Sequence, residues 1–294
     1  MRLIACRAGT GETLGVESGG RWLLAADLVD DAPATLPQLI AAGSPGLDRL
    51  RAAAVDARAW KRSAPIAETD LLPPLGRPGK IVAIGRNYRE HAAEEGVEPP
   101  TAPLIFAKWP SSVVGPGAEI RWDPRLSRQV DYEAELAVVV GRSARRVGTA
   151  QALDHVFGYT CLNDVSARDL QFGDGQWVRG KSLDTFCPMG PALVTSDEIG
   201  DPQQLAITAT VNGELVQDAT TAQMYFSVAE LISYCSYAFT LEPGDVIATG
   251  TPSGVGVFRK PPRFLGDGDR VAVEIERIGR LENTCRFDSV EVAA

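Results

Sequence analysis

The sequence predicts an α+β protein that is mainly β, with a small α/β N-terminal unit (residues 1–72) ahead of a larger β-rich domain (residues 77–294). Three observations predict it. Residues 71–79 hold three prolines and two glycines, which stop regular structure on both sides. Downstream of that break come many short runs of β-branched and aromatic residues, each bounded by turn residues. These runs do not alternate regularly with helical segments, which argues against a βαβ sheet and for a sandwich or barrel-like β core.

In chain order, residues 2–7 and 21–26 read as short strands, and residues 36–42 and 47–59 as helices. After the break, residues 80–84, 104–108, 132–140 and 159–165 read as strands. Residues 205–211 and 214–217 flank Asn212-Gly213, a strong two-residue hairpin signal. Ser227 and Glu230 form a capping box, and Val228, Leu231, Ile232, Cys235 and Phe239 give the helix after it an apolar stripe. Residues 246–249 start another strand, and residues 270–278 and 281–287 read as a closing hairpin around Gly279.

The 294 residues suffice for one large domain or a large and a small one. Composition is that of a globular protein, 45% apolar and 23% charged. A net charge of −9 disfavours a nucleic-acid partner, which needs a basic surface to replace counterions. No apolar run approaches the ~20 residues of a membrane span, and the first residues do not read as a secretory signal. The five cysteines (Cys6, Cys161, Cys187, Cys235, Cys285) are scattered and form no Cys-x-x-Cys pair, so they read as reduced, buried residues of a cytoplasmic protein.

The most informative stretch is Asp131, Tyr132, Glu133, Ala134, Glu135, Leu136, Ala137, Val138, Val139. Strand alternation would put the three acids on one face. Neighbours ~7 Å apart there repel by roughly 2 kcal/mol at an effective dielectric near 20. Acids at the mouth of a strand that enters a core call for a cation, and hard carboxylate oxygens suit Mg²⁺ or Mn²⁺. A solvated sheet face is the other reading of the same pattern. Asp164, at the end of a strand, would supply a third carboxylate and leave coordination positions open, as a catalytic metal requires; an Asx turn or helix cap is its alternative.

Lys181 follows a Gly-containing turn and is either a surface charge or an oxyanion stabiliser. Residues 250–256, glycine-rich after a strand, could cradle an anionic ligand with backbone N–H groups or form a structural turn; no Gly-Lys-Ser/Thr closes them, so they are not a Walker loop. His91 and Glu94 stand three apart on a helical segment and share a face. A carboxylate beside an imidazole fixes its tautomer and raises its basicity, although a surface helix with a fortuitous pair reads the same way. His155 has no such partner.

Taken together, these segments resemble the fumarylacetoacetate hydrolase family. The resemblance rests on Ile84-Gly85-Arg86-Asn87-Tyr88, residues 130–139, Asn163-Asp164-Val165-Ser166-Ala167-Arg168-Asp169, Arg179-Gly180-Lys181-Ser182 and Thr249-Gly250-Thr251-Pro252, in the family's order over roughly residues 77–290. It implies a mixed β-sandwich roll of the family's C-terminal type, a small variable N-terminal domain and a homodimer. It also implies Mg²⁺ or Mn²⁺ held by Glu133, Glu135 and Asp164, with a small 2-oxo acid substrate chelating the ion. Arg168, Gln171 and Thr251 match substrate-contacting positions, as does Lys108, although Trp109 departs from the usual Lys-Pro-Pro-Ser pattern. Lys181 matches the oxyanion-stabilising lysine, and His91 with Glu94 a water-activating dyad on a lid helix. The activity implied first is hydrolysis of a carbon–carbon bond in an acylpyruvate-like 2,4-dioxo acid, through an enolate stabilised by metal and lysine. Oxaloacetate-type decarboxylation or enol–keto isomerisation of an unsaturated dicarboxylate would use the same site. A non-catalytic protein holding a divalent ion is the rival of another class.

Overall fold

The structure, a computed structural model, describes residues 1–9, 11–18, 21–55 and 71–288. It is built on an 11-stranded mixed sheet packed against a five-stranded one. At the middle of the large sheet lies Ala134–Val140, antiparallel to Val156–Asn163 on one side and to Val246–Ala248 on the other. Ile81–Gly85 then pairs parallel to Val246–Ala248, and Leu104–Lys108 closes that edge. The smaller sheet runs Glu214–Thr220, Ala206–Val211, Arg270–Ile275, Gly279–Phe287, Glu119–Trp122. The Asn212-Gly213 hairpin and the Ser227/Glu230 capping box form as the sequence predicts. No helix among the described residues is long and apolar enough to cross a membrane.

The central strand is buried at all seven positions. Leu136 and Val138 face the core shared with the small sheet, among Ile207, Ala209, Val273 and the helix Val228–Ala238. Ala137 and Val139 face the opposite way, into a core with Leu3, Leu14, Leu36, Leu39 and Leu50. The solvated-face reading of its alternating acids is therefore overturned: Glu133 and Glu135 are 5% and 1% exposed.

The N-terminal unit continues the large sheet rather than standing apart from it. Arg2–Ala8 pairs antiparallel with Cys187–Thr195, Arg2 opposite Val194 and Leu3 opposite Leu193. Gly11–Ser18 and Arg21–Leu24 extend the sheet outward from there. The two helices predicted over residues 36–59 form within Leu36–Ala54, separated where Gly43 leaves helical geometry with a φ of 65° and Pro45 follows. Residues 56–59 of that expectation lie outside the described residues.

The predicted strand 132–140 is broken at its start. Val130–Asp131 pairs with Ser166–Ala167, and the main strand begins only at Ala134. Between them the backbone N–H groups of Glu133 and Ala134 donate to side chains, Asn163 Oδ1 at 3.0 Å and Gln217 Oε1 at 2.9 Å, instead of to a neighbouring strand. Asp131 consequently leaves the face of Glu133 and Glu135.

All five cysteines are buried. Burial pushes Cys187, Cys235 and Cys285 up to about 12, so they carry no thiolate near neutrality.

The shared sheet makes a stability prediction. Leu3 is fully buried, and Leu3→Ala should cost about 2–5 kcal/mol. Urea unfolding followed by circular dichroism should show this as a shifted single transition. A separate early transition for residues 1–55 would contradict the continuity of the two parts.

Candidate active site

Two neighbouring strands deliver the acids. Ala134 lies opposite Asn163 in the ladder, so Glu133 and Glu135 flank one strand start while Asp164 follows the adjacent strand end. The Asp164 N–H donates to the Glu133 carbonyl at 2.9 Å, which ties the two ends together. Glu133, Glu135 and Asp164 each place one carboxylate oxygen within 4.8 Å of the others, and all three are buried.

Three buried cations surround them. Lys181 Nζ lies 2.8 Å from Glu133 Oε2 and 2.9 Å from Asp164 Oδ2. Arg168 reaches Glu133 Oε1 at 2.6 Å, Asp131 Oδ2 at 2.9 Å and Gln171 Oε1 at 3.0 Å. Lys108 donates to Asp164 Oδ1 at 2.6 Å and also to the Lys181 carbonyl. Lys108 thus sits behind the acids, fully buried, with its ammonium directed at Asp164. Glu135 has no cation partner among the described residues and accepts only the Gly250 N–H, at 2.8 Å.

The protonation equilibria follow this asymmetry. Burial, then repulsion from Asp164 and Glu133, pushes Glu135 well above the usual carboxylate range. Burial acts the same way on Glu133, but Lys181 and Arg168 overcome it and hold Glu133 below that range. Burial opposes charge on Lys181, yet Asp164 and Glu133 outweigh it and keep the ammonium charged. Four buried carboxylates, counting Asp131, face three buried cations. With Glu135 ionised one negative charge is left over, and it belongs to three hard oxygen donors in mutual reach. That donor set and that surplus fit Mg²⁺ or Mn²⁺.

The short helix Arg89–Glu95 lies over this cluster and ends at Gly96, φ 74°. His91 Nδ1 is 3.3 Å from Glu94 Oε2, and the Glu94 carboxylate also accepts the Gly254 N–H at 3.1 Å. If Nδ1 donates to Glu94, Nε2 is the free basic nitrogen. His91 lines one pocket with Glu133, Arg168, Gln171, Lys181 and Thr251. Every site residue expected from sequence except Lys108, Glu94, Glu135 and Asp164 faces that pocket directly; Glu135 and Asp164 belong to the acid cluster that adjoins it through Glu133.

The glycine-rich segment 250–256 departs from expectation. Its amides do cradle anions, but the anions are the protein's own: Gly250 N–H serves Glu135, Gly254 N–H serves Glu94, and Gly256 N–H serves Asp131 at 2.7 Å. Glycine is needed at 254, where φ is 101° and a Cβ would lie 2.1 Å from the Val216 carbonyl oxygen.

Gln217 was not legible in the sequence. Its buried amide accepts from Ala134 N and donates to Thr251 Oγ1 at 2.9 Å and Pro252 O at 2.8 Å, joining the acid-bearing strand to the loop. Counting back from the Asn-Gly turn puts Gln217 opposite Thr208, facing outward. A bulge between Ala209 and Thr210 shifts the register, so Gln217 pairs with the buried Ala209 instead and points inward. Asp131 likewise serves Arg168 and the loop rather than the acid triad.

Two substitutions separate the charges. Mn²⁺ should raise the Tm of the wild type, and Glu135→Gln should leave the metal-free fold intact but abolish that rise. Asp164→Asn should lose that rise and also cost about 3–5 kcal/mol without metal, because it leaves Lys108 and Lys181 short of a buried partner. Differential scanning fluorimetry with EDTA and with Mn²⁺ checks both.

The geometry agrees with what the chain is similar to. Residues 80–286 match the model of the fumarylacetoacetate (FAA) hydrolase C-terminal family. A mitochondrial oxaloacetate tautomerase of Homo sapiens is 45% identical over 289 residues, covering 96% of this chain and 91% of the relative. An oxaloacetate tautomerase of Bacillus subtilis (strain 168) is 48% identical over 221 residues, covering 74% and 73%. Among solved structures, a fumarylacetoacetate hydrolase from Exiguobacterium antarcticum superposes with TM-score 0.86 at 38% identity, covering 98% of this chain and all of that one. A maleylpyruvate hydrolase from Sphingobium superposes with TM-score 0.79 at 32% identity, covering 98% of this chain and all of that one. The relatives are enzymes, named as tautomerase and hydrolase. From its β-sandwich fold and the order of its motifs to these relatives, the chain belongs to the fumarylacetoacetate hydrolase family.

Proposed function

We propose that this protein is a metal-dependent tautomerase that interconverts the keto and enol forms of a small 2-oxo dicarboxylate of the oxaloacetate type. One observation carries the proposal: His91 of the dyad, the buried cations Arg168 and Lys181, and Glu133 of the three-carboxylate cluster line a single pocket. The oxaloacetate tautomerases at 45% and 48% identity support this reaction over the others of the family.

Glu133, Glu135 and Asp164 would hold Mg²⁺ or Mn²⁺, which supplies Lewis-acid polarisation of the 2-oxo group when bound. His91 Nε2 takes the proton from C3 of the keto acid, while Glu94 stabilises the imidazolium through Nδ1. The C–H electron pair moves to form the C2–C3 double bond, and charge develops on the 2-oxygen. Two of Lys181's three donors are taken by Glu133 and Asp164, which leaves one for that oxygen. Arg168 has a buried Nη2 with no protein partner, a donor available to the substrate carboxylate. His91 then returns its proton to the 2-oxygen, completing the enol. The reverse direction uses the same groups.

The same dyad could draw a proton from water instead, which is the hydrolytic reading of an acylpyruvate-like 2,4-dioxo acid. The observation in its favour is the Glu94 carboxylate held beside His91 by Gly254, as a water-activating pair requires. An enol-absorbance assay with Mn²⁺ against oxaloacetate and acetylpyruvate separates the readings. We expect decay of the oxaloacetate enol far above the background rate and little cleavage of acetylpyruvate; the opposite ranking would sink the tautomerase reading. His91→Ala should slow the oxaloacetate reaction by roughly 10²–10⁴-fold, the usual worth of a general base.

A further inference from the structure

The pocket has a second cationic end that the proton transfers do not use. Arg86 lines it with Glu95, Phe172 and Trp177. Its backbone sits in the left-handed region, φ 57°, uncommon for a residue other than glycine. The neighbours on both sides impose this. Gly85 is pressed against Trp177, where a Cβ would lie 2.6 Å from a ring carbon. Asn87 is anchored by donating to the carbonyls of Phe226 at 3.0 Å and Thr249 at 2.8 Å.

The guanidinium is fixed along one edge and one face. Nε and Nη2 donate to the two Glu95 oxygens at 2.8 and 2.5 Å. Its Cζ lies 5.6 Å from the centre of the Trp177 ring. A guanidinium has five N–H donors, and two are used here. Among the described residues no protein acceptor meets Nη1, and the side chain is 32% exposed. A planar fork with one edge held and the other open is suited to a carboxylate.

We propose that Arg86 is the specificity-determining residue of the pocket and holds the distal carboxylate of a 2-oxo dicarboxylate on its open edge. The proposal rests on the 2-oxo acid reading above and names the feature of the substrate that this chain selects. The keto-acid end lies with Lys181, Arg168 and the three acids, and the far carboxylate reaches Arg86. A monoacid of the same length leaves that edge without a partner. Glu95 orients the guanidinium but also repels the incoming carboxylate, so the expected selectivity is about tenfold rather than thousands.

Titration calorimetry of the Mn²⁺-loaded protein with two unreactive probes tests this. 2-Oxoglutarate and 2-oxopentanoate share chain length and keto-acid end and differ in the distal carboxylate. The wild type should bind the diacid about tenfold more tightly. Arg86→Gln should bring the two dissociation constants within about twofold, with the monoacid's own value little changed, and Arg86→Lys should fall between, keeping charge without the fork. Equal affinities in the wild type would overturn the proposal. So would an Arg86→Gln variant that weakens both probes alike, which would mark a merely structural role. Diacid preference without oxaloacetate turnover would sink the tautomerase reading and leave this one standing; turnover without preference would do the reverse.

Discussion

Four carboxylates and three cations share a volume from which water is almost excluded, and the rest of the molecule is arranged around that fact. Each buried ion costs several kcal/mol in desolvation unless closely partnered. The partners must therefore arrive from separate elements and be held rigidly. Lys108 ends the strand Leu104–Lys108, Arg168 opens the helix Arg168–Asp174, and Lys181 closes the helix Val178–Lys181. Each of these elements is locked to the acid-bearing strands by the charge it carries. Glu135 is the exception, and its lack of a cation leaves the cluster open to a further positive charge rather than a closed ion-pair network.

Much of this was legible in the sequence, and what was not has a physical reason. The hairpin at Asn212-Gly213 and the helix after Ser227 are set by local chemistry, and local chemistry reads directly. The acids at 133, 135 and 164 were legible as residue types in a pattern. Their burial was not, because alternation cannot distinguish a sheet with one wet face from one with a core on each side. Asp131 was misplaced because side chains of Asn163 and Gln217 capture two backbone amides and break the strand. Gln217 was invisible because a single bulge reverses the direction its side chain takes. Non-local contacts decided each of these, and no window of sequence contains them.

Gly250, and Thr251 through Gln217, link the glycine-rich loop to the central strand, while Glu90 and Glu94 link the helix carrying His91 to the same loop. Ser253 Oγ donates to Glu90 Oε2 at 3.2 Å, at the surface. The contacts that hold the loop to the strand are buried, whereas those that hold the helix to the loop are partly exposed. Exposed bonds open at lower free energy than buried ones, so the helix carrying His91 is the part of the pocket wall most readily withdrawn, while the acids stay in place.

The glycine-rich segment has a further implication. Because its amides are committed to Glu135, Glu94 and Asp131, the main chain has little left with which to recognise an anion, and discrimination among small acids falls to individual side chains. A scaffold of this kind can change its preferred molecule by exchanging one or two residues at the rim without disturbing the ladder beneath. Tautomerases, isomerases and hydrolases sharing one architecture are the diversity such a division of labour permits.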